Sequence, residues 1–163
     1  MNSRFIWFGI GILVVIFVAA ISWGLLKSSP TEAGFRADDP NRPQVEISQT
    51  QFDLGQMKQS EERTVEAIVK NPGRSPLQVS DLSTSCDCTF AQMDFGDHQS
   101  PELSMHSGHW HDEIPAGGQA TLKIIYRPAV MPVTGKVERT VFFKTNDPNQ
   151  LNVEVTLTAE VNP

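Results

Sequence analysis

The sequence predicts an all-β domain, and three observations carry that reading. Apolar residues alternate with polar ones in a series of short runs from Val45 onward. Turn chemistry separates the runs, at Asn71-Pro72-Gly73, Pro115-Ala116-Gly117-Gly118 and Asn146-Asp147-Pro148. No stretch after the first 44 residues carries a sustained helical period. About seven short strands in ~115 residues describe an immunoglobulin-like β-sandwich. One N-terminal transmembrane helix is expected ahead of it.

That helix is read from Phe5 to Leu26, a run of uncharged, mostly apolar residues bounded by Arg4 and Lys27. About 20 such residues span the hydrocarbon core of a bilayer. Trp7 and Trp23 lie near its ends, where indoles favour the membrane interface. The run exceeds the ~7–15 residues of a cleaved signal h-region. Residues 1–27 are therefore expected to be an uncleaved signal-anchor rather than a removed leader, and residues 5–26 to contact lipid. The expected location is a single-pass inner (cytoplasmic) membrane protein, with its C-terminal domain in the periplasm or outside the cell. Residues 28–44 hold Pro30, Pro40 and Pro43 among mixed charges and read as an extended tether.

The immunoglobulin-like domain is placed at 45–163. Its strands follow in order: Val45 and Ile47; Phe52 and Leu54; Val65, Ala67 and Val69; Leu77 and Val79; Leu122, Ile124 and Tyr126. Next come Val137, Arg139, Val141 and Phe143, and last Leu151, Val153, Val155, Leu157, Ala159 and Val161. Period two means one buried face per strand. A core of this size folds without a metal or a disulfide.

The stretch 86–114 breaks the rhythm and is read as a Cys/His-rich loop, with residues 89–114 as an irregular insertion. It holds both cysteines, Cys86 and Cys88, and all four histidines, His98, His106, His109 and His111. Met93 and Met105 lie among them, and no Lys or Arg occurs between Arg74 and Lys123. Long ordered loops are usually functional.

Several short motifs resemble a bacterial domain family of unknown function, related to the Hydin-type (ASH) immunoglobulin-like domains. Phe52-Asp53-Leu54-Gly55 resembles its opening F-D-F-G, and Val69-Lys70-Asn71-Pro72-Gly73 with Leu77 resembles its K-N-x-G turn. Ser85-Cys86-Asp87-Cys88-Thr89 resembles its S-C-G-C-T motif, with Asp87 in place of glycine. Ile114-Pro115-Ala116-Gly117 and Thr145-Asn146-Asp147-Pro148 resemble its I-x-P-G and T-N-D-P turns. The resemblance covers roughly residues 45–161. It implies an exported sandwich and brings no reaction with it; residues 90–113 depart from the pattern in length and in their histidines.

The cysteine pair admits several readings. Residues two apart on an extended strand have Cα atoms about 6.5–7 Å apart, so a local disulfide requires a bend. The same spacing suits two thiolates on one metal. Thiolate, thioether and imidazole together select copper, and imidazole with carboxylate suits zinc. Candidate ligands are Cys86, Cys88, His106, His109 and His111, with His98 and Met105 as second choices. Trp110 and Phe95 are candidate partner contacts, against the alternative that they plug the core beneath the loop.

The formal charge of −6 and the lack of clustered Lys and Arg exclude nucleic acid as a partner class. No nucleophile elbow and no phosphate-binding glycine loop occur, so no enzyme is expected. The leading expectation is an exported binding module, an accessory subunit contacting integral membrane or periplasmic proteins of a membrane or electron-transfer complex. Copper (or zinc) binding or trafficking is the alternative. A thiol–disulfide partner is the weaker one.

Overall fold

Alternation becomes two packed sheets in the computed structural model, which describes residues 34–163. The anchor run and the first part of the tether lie outside these residues. Nine strands are described: β1 (Glu46–Ile47), β2 (Gln51–Lys58), β3 (Arg63–Lys70), β4 (Leu77–Thr84), β5 (Thr89–Asp94), β6 (His111–Ile114), β7 (Gln119–Tyr126), β8 (Gly135–Thr145) and β9 (Asn152–Asn162). Among the described residues a single 3-10 turn, Pro128–Val130, follows β7. Among the described residues no helix is long and apolar enough to cross a membrane.

One sheet has four strands in the order β1-β3-β7-β5, and the other has five in the order β2-β9-β8-β4-β6. Every pair is antiparallel except β2 with β9, which run parallel. The inner faces follow the sequence pattern. In β9, Val153, Val155, Leu157, Ala159 and Val161 are buried, and Val155 and Val153 lie opposite Val141 and Phe143 of β8. Leu122, Ile124 and Tyr126 do the same from β7. Leu151 is the exception: it precedes β9 in the turn and is exposed.

Nine strands replace the seven expected, and both additions come from the stretch taken as an insertion. Thr89–Asp94 is a regular strand along β7, and His111–Ile114 pairs with the first half of β4. The irregular part is therefore 95–110, shorter than the 89–114 expected. Even this part is pinned. Ala91 and Leu103 exchange two backbone hydrogen bonds of 2.8 Å, and the Ser100 N–H donates to the Met93 carbonyl. Residues 99–103 thus lie along the outer edge of β5 and cover its unpaired backbone groups.

The last residues of the tether are docked. Arg42 donates to Asp147 at 2.7 Å, the Val45 N–H donates to the same carboxylate at 3.0 Å, and Pro43 is buried.

Candidate functional site

The two cysteines sit in a turn between β4 and β5, at one end of the sandwich. The chain bends through Ser85–Cys88, bringing the two Cα atoms to 5.2 Å, and the sulfurs form a disulfide. An extended chain would have kept them too far apart; the bend brings them within bridging distance. The turn is internally bonded. The Cys88 N–H donates to Cys86 Sγ at 3.1 Å, and Thr84 Oγ1 donates to the Cys86 and Thr89 carbonyls.

The two sulfurs face different surroundings. Cys88 is fully buried, and the Nε–H of Arg139 donates to its sulfur at 3.3 Å. Cys86 Sγ lies 3.7 Å from the sulfur of Met131, a residue about half exposed. Arg139 also acts on Tyr126. Burial pushes the Tyr126 phenol up, and the Arg139 charge pulls against it. The buried Tyr126 hydroxyl has no hydrogen-bond partner among the described residues.

Arg139, Met131 and Tyr126 were not singled out from the sequence as site residues. The signal for Arg139 was present: it occupies the inward register of β8, between Val137 and Val141, where an unpaired charge is costly. Met131 carried no comparable signal, because its place depends on the turn after β7.

The loop 95–110 closes over the same end. Ser104 Oγ donates to Asp87 at 3.3 Å, and His106 Nε2 lies 3.6 Å from the same carboxylate, so Met105 is bracketed by two contacts to Asp87. Arg127 ties the loop to β7 through Glu102 and lies over the Phe90 ring at 4.6 Å. The guanidinium holds the Glu102 carboxyl below its ordinary value.

His98 lies between two carboxylates, 2.7 Å from Asp97 and 2.8 Å from Asp112 of β6. These bonds, Asp112 first, raise its pKa above the ordinary imidazole value. Its ring stacks on Phe95 at 4.7 Å, and Phe95 in turn meets Trp110 at 6.2 Å. Both aromatics are partly buried against the core. His109 pairs with Asp81, which also receives Lys144; Lys144 first and His109 second hold the Asp81 carboxyl down. His111 is exposed on β6 opposite Ser80.

The structure therefore brings Cys86 and Cys88 together and sends the imidazoles of His98, His106 and His109 to separate carboxylates. Met105 is exposed. Among the described residues no three of His, Cys, Asp or Glu gather as a metal-holding group.

Comparison with solved structures places the fold. A Porphyromonas gingivalis W83 protein of unknown function is similar over 75% of this chain, at 22% identity and a TM-score of 0.58; this chain spans 49% of that one. The PapD-like domain 7 of human CEP192, an ASH domain, is similar over 83% of this chain and 96% of its own, at 12% identity and a TM-score of 0.51. No curated protein matches. The profile of the HYDIN/CFA65/VesB-like, Ig-like domain matches residues 43–160, well over half of the chain, and the chain belongs to that family of immunoglobulin-like domains.

Proposed function

We propose that this chain is a membrane-anchored, exported binding module without catalytic activity, an accessory subunit that contacts a protein of a membrane or electron-transfer complex. Within its family we place it with the bacterial domains that carry the S-C-G-C-T motif, on Ser85–Thr89. The apolar run 5–26 supports the anchor and export. The observation that carries the binding role is the placement of exposed apolar side chains. Of the four large hydrophobic residues exposed among the described residues, three flank the disulfide turn: Met105, Val130 and Met131. Single exposed apolar residues are ordinary, whereas grouped ones mark contact surfaces. Methionine suits such a surface because its flexible thioether adapts to a partner.

The test is co-purification of the full chain from membranes in mild detergent. A protein partner is expected with the wild type and is lost, or reduced at least tenfold, with Val130→Asp or Met131→Asp. A solitary monomer under the same conditions overturns the reading.

A further inference from the structure

We propose that the Cys86–Cys88 disulfide is a thiol-exchange site, opened by attack of a dithiol on Cys86, with Cys88 leaving as a thiolate held by Arg139.

The pair is asymmetric. Cys88 is 0% exposed and points to the Arg139 Nε–H, whereas Cys86 is 6% exposed and meets the thioether of a half-exposed methionine. Displacement of Met131 uncovers Cys86 alone. An exchange reaction needs an accessible sulfur to attack and a stabilised thiolate to expel. A guanidinium beside a sulfur lowers the cost of the thiolate, which matters most where water is excluded. Arg139 has no carboxylate partner among the described residues; its other bond runs to the Glu138 carbonyl. Its charge is left for the corner shared by Cys88 and the unpaired Tyr126 hydroxyl.

Opening the bond leaves the domain folded. The cysteines are two residues apart, so the cross-link removes little chain entropy from the unfolded state. The two cysteines are members of a core cluster supplied mostly by the strands of both sheets.

A thiolate of the dithiol attacks Cys86 Sγ, the Cys86–Cys88 bond breaks, and its electron pair goes to Cys88 Sγ beside Arg139. The second thiolate of the dithiol then attacks its own mixed-disulfide sulfur and releases Cys86. Two electrons pass to the protein, the two cysteine sulfurs take protons from water as their pKa values dictate, and the dithiol leaves as its disulfide. Val130 and Met131 give a dithiol-bearing protein an apolar landing beside the attacked sulfur. The inference rests on the surroundings of the disulfide and not on the partner reading above.

The test uses the full chain in detergent. Brief treatment with glutathione, acid quenching and peptide mass spectrometry are expected to find the adduct on Cys86. In Cys86→Ser, ultraviolet titration of the remaining thiol is expected to place Cys88 below the ordinary ~8.5. Adding Arg139→Met raises that value by at least one unit, and Arg139→Lys restores most of the drop. Met131→Ala speeds reduction by dithiothreitol several-fold. Should Arg139→Met fail to fold, the Cys86→Ser titration and the adduct map decide alone. An adduct on Cys88, a Cys88 titration at or above the ordinary value, or a disulfide that stays closed in the folded protein under excess dithiothreitol overturns the proposal.

Discussion

Asn71 is buried, and its side chain bonds to parts of the chain far apart in sequence. Its amide donates to the carbonyls of Ser75, Ile114 and Pro115, and its oxygen accepts from the Gln44 and Gly73 N–H groups. One side chain thus joins the tether end, the β3–β4 turn and the β6–β7 turn. Asn71→Ala leaves several of these buried groups unpaired and is expected to cost about 2–4 kcal/mol, measured by urea unfolding. Gly73 is held by a close approach. A Cβ there would stand 2.5 Å from the Arg42 carbonyl oxygen and 2.6 Å from the Gln44 nitrogen. Gly73→Ala therefore pushes residues 42–44 off the body and strains the Arg42–Asp147 pair. Limited proteolysis is expected to cut between residues 36 and 45 faster in this variant than in the wild type. Both residues lie in the Asn71-Pro72-Gly73 turn, one of the motifs that carry the resemblance. The Asn-Pro-Gly and Asn-Asp-Pro motifs were legible as turns, but their bonds to the tether and to each other's loops were not, because such partners are far apart in sequence.

At the scale of elements, the loop 95–110 is a covered edge rather than a free excursion. Its floor is the β5 edge, sealed by residues 99–103, and its far side is clasped to β6 by His98. β6 also blunts its own edge, since the Glu113 N–H is taken by the Asp112 carboxylate. Neither strand was legible. β5 buries Thr89, Ala91 and Met93 while Phe90 sits on the opposite face, so polar and apolar residues are not sorted by face. β6 has one apolar residue, Ile114, and exists because β4 offers it an edge. The disulfide was legible only as a condition on bending, which the local turn satisfies. The clasp depends on pH in a stated direction. The His98 pKa is raised above 6.5, so its imidazolium is bound more tightly in the folded than in the unfolded chain. The stabilisation is full below the unfolded value and disappears as pH rises through the folded one. The Phe95 amide, bonded to the His98 carbonyl, is expected to show greater hydrogen-exchange protection at about pH 6 than at about pH 9, after correction for intrinsic rates. His98→Gln is expected to abolish that difference, and an unchanged profile would remove the clasp from the account.

At the scale of the whole molecule, the first long strand is held by the last. β2 has one hydrogen-bonded neighbour, β9, and β9 also provides the long antiparallel partner of β8. The parallel register runs from Gln51–Thr156 to Lys58–Asn162, interrupted by a bulge at Gly55, where Asp53 caps the Gly55 N–H and φ is +64°. The other edge of β2 is capped by Arg63, which donates to the Leu54 and Gln56 carbonyls. Removing β9 therefore does more than shorten a sheet. It orphans Leu54 and Met57 of β2, uncovers Val141 and Phe143 of β8, and opens the core along its length. Those losses together exceed the ~5–15 kcal/mol that holds a domain of this size. A chain ending at Gln150 is expected to show no cooperative urea transition, whereas removal of Pro163 alone leaves the midpoint unchanged. The contrast with the disulfide is sharp in magnitude. Cys86→Ser with Cys88→Ser is expected to keep a single cooperative transition, because the pairings of β9 with β2 and β8, and the core they cover, do not run through the sulfur turn. A double-serine variant that unfolds without cooperativity would show that the turn, rather than the strand pairing, closes the sandwich.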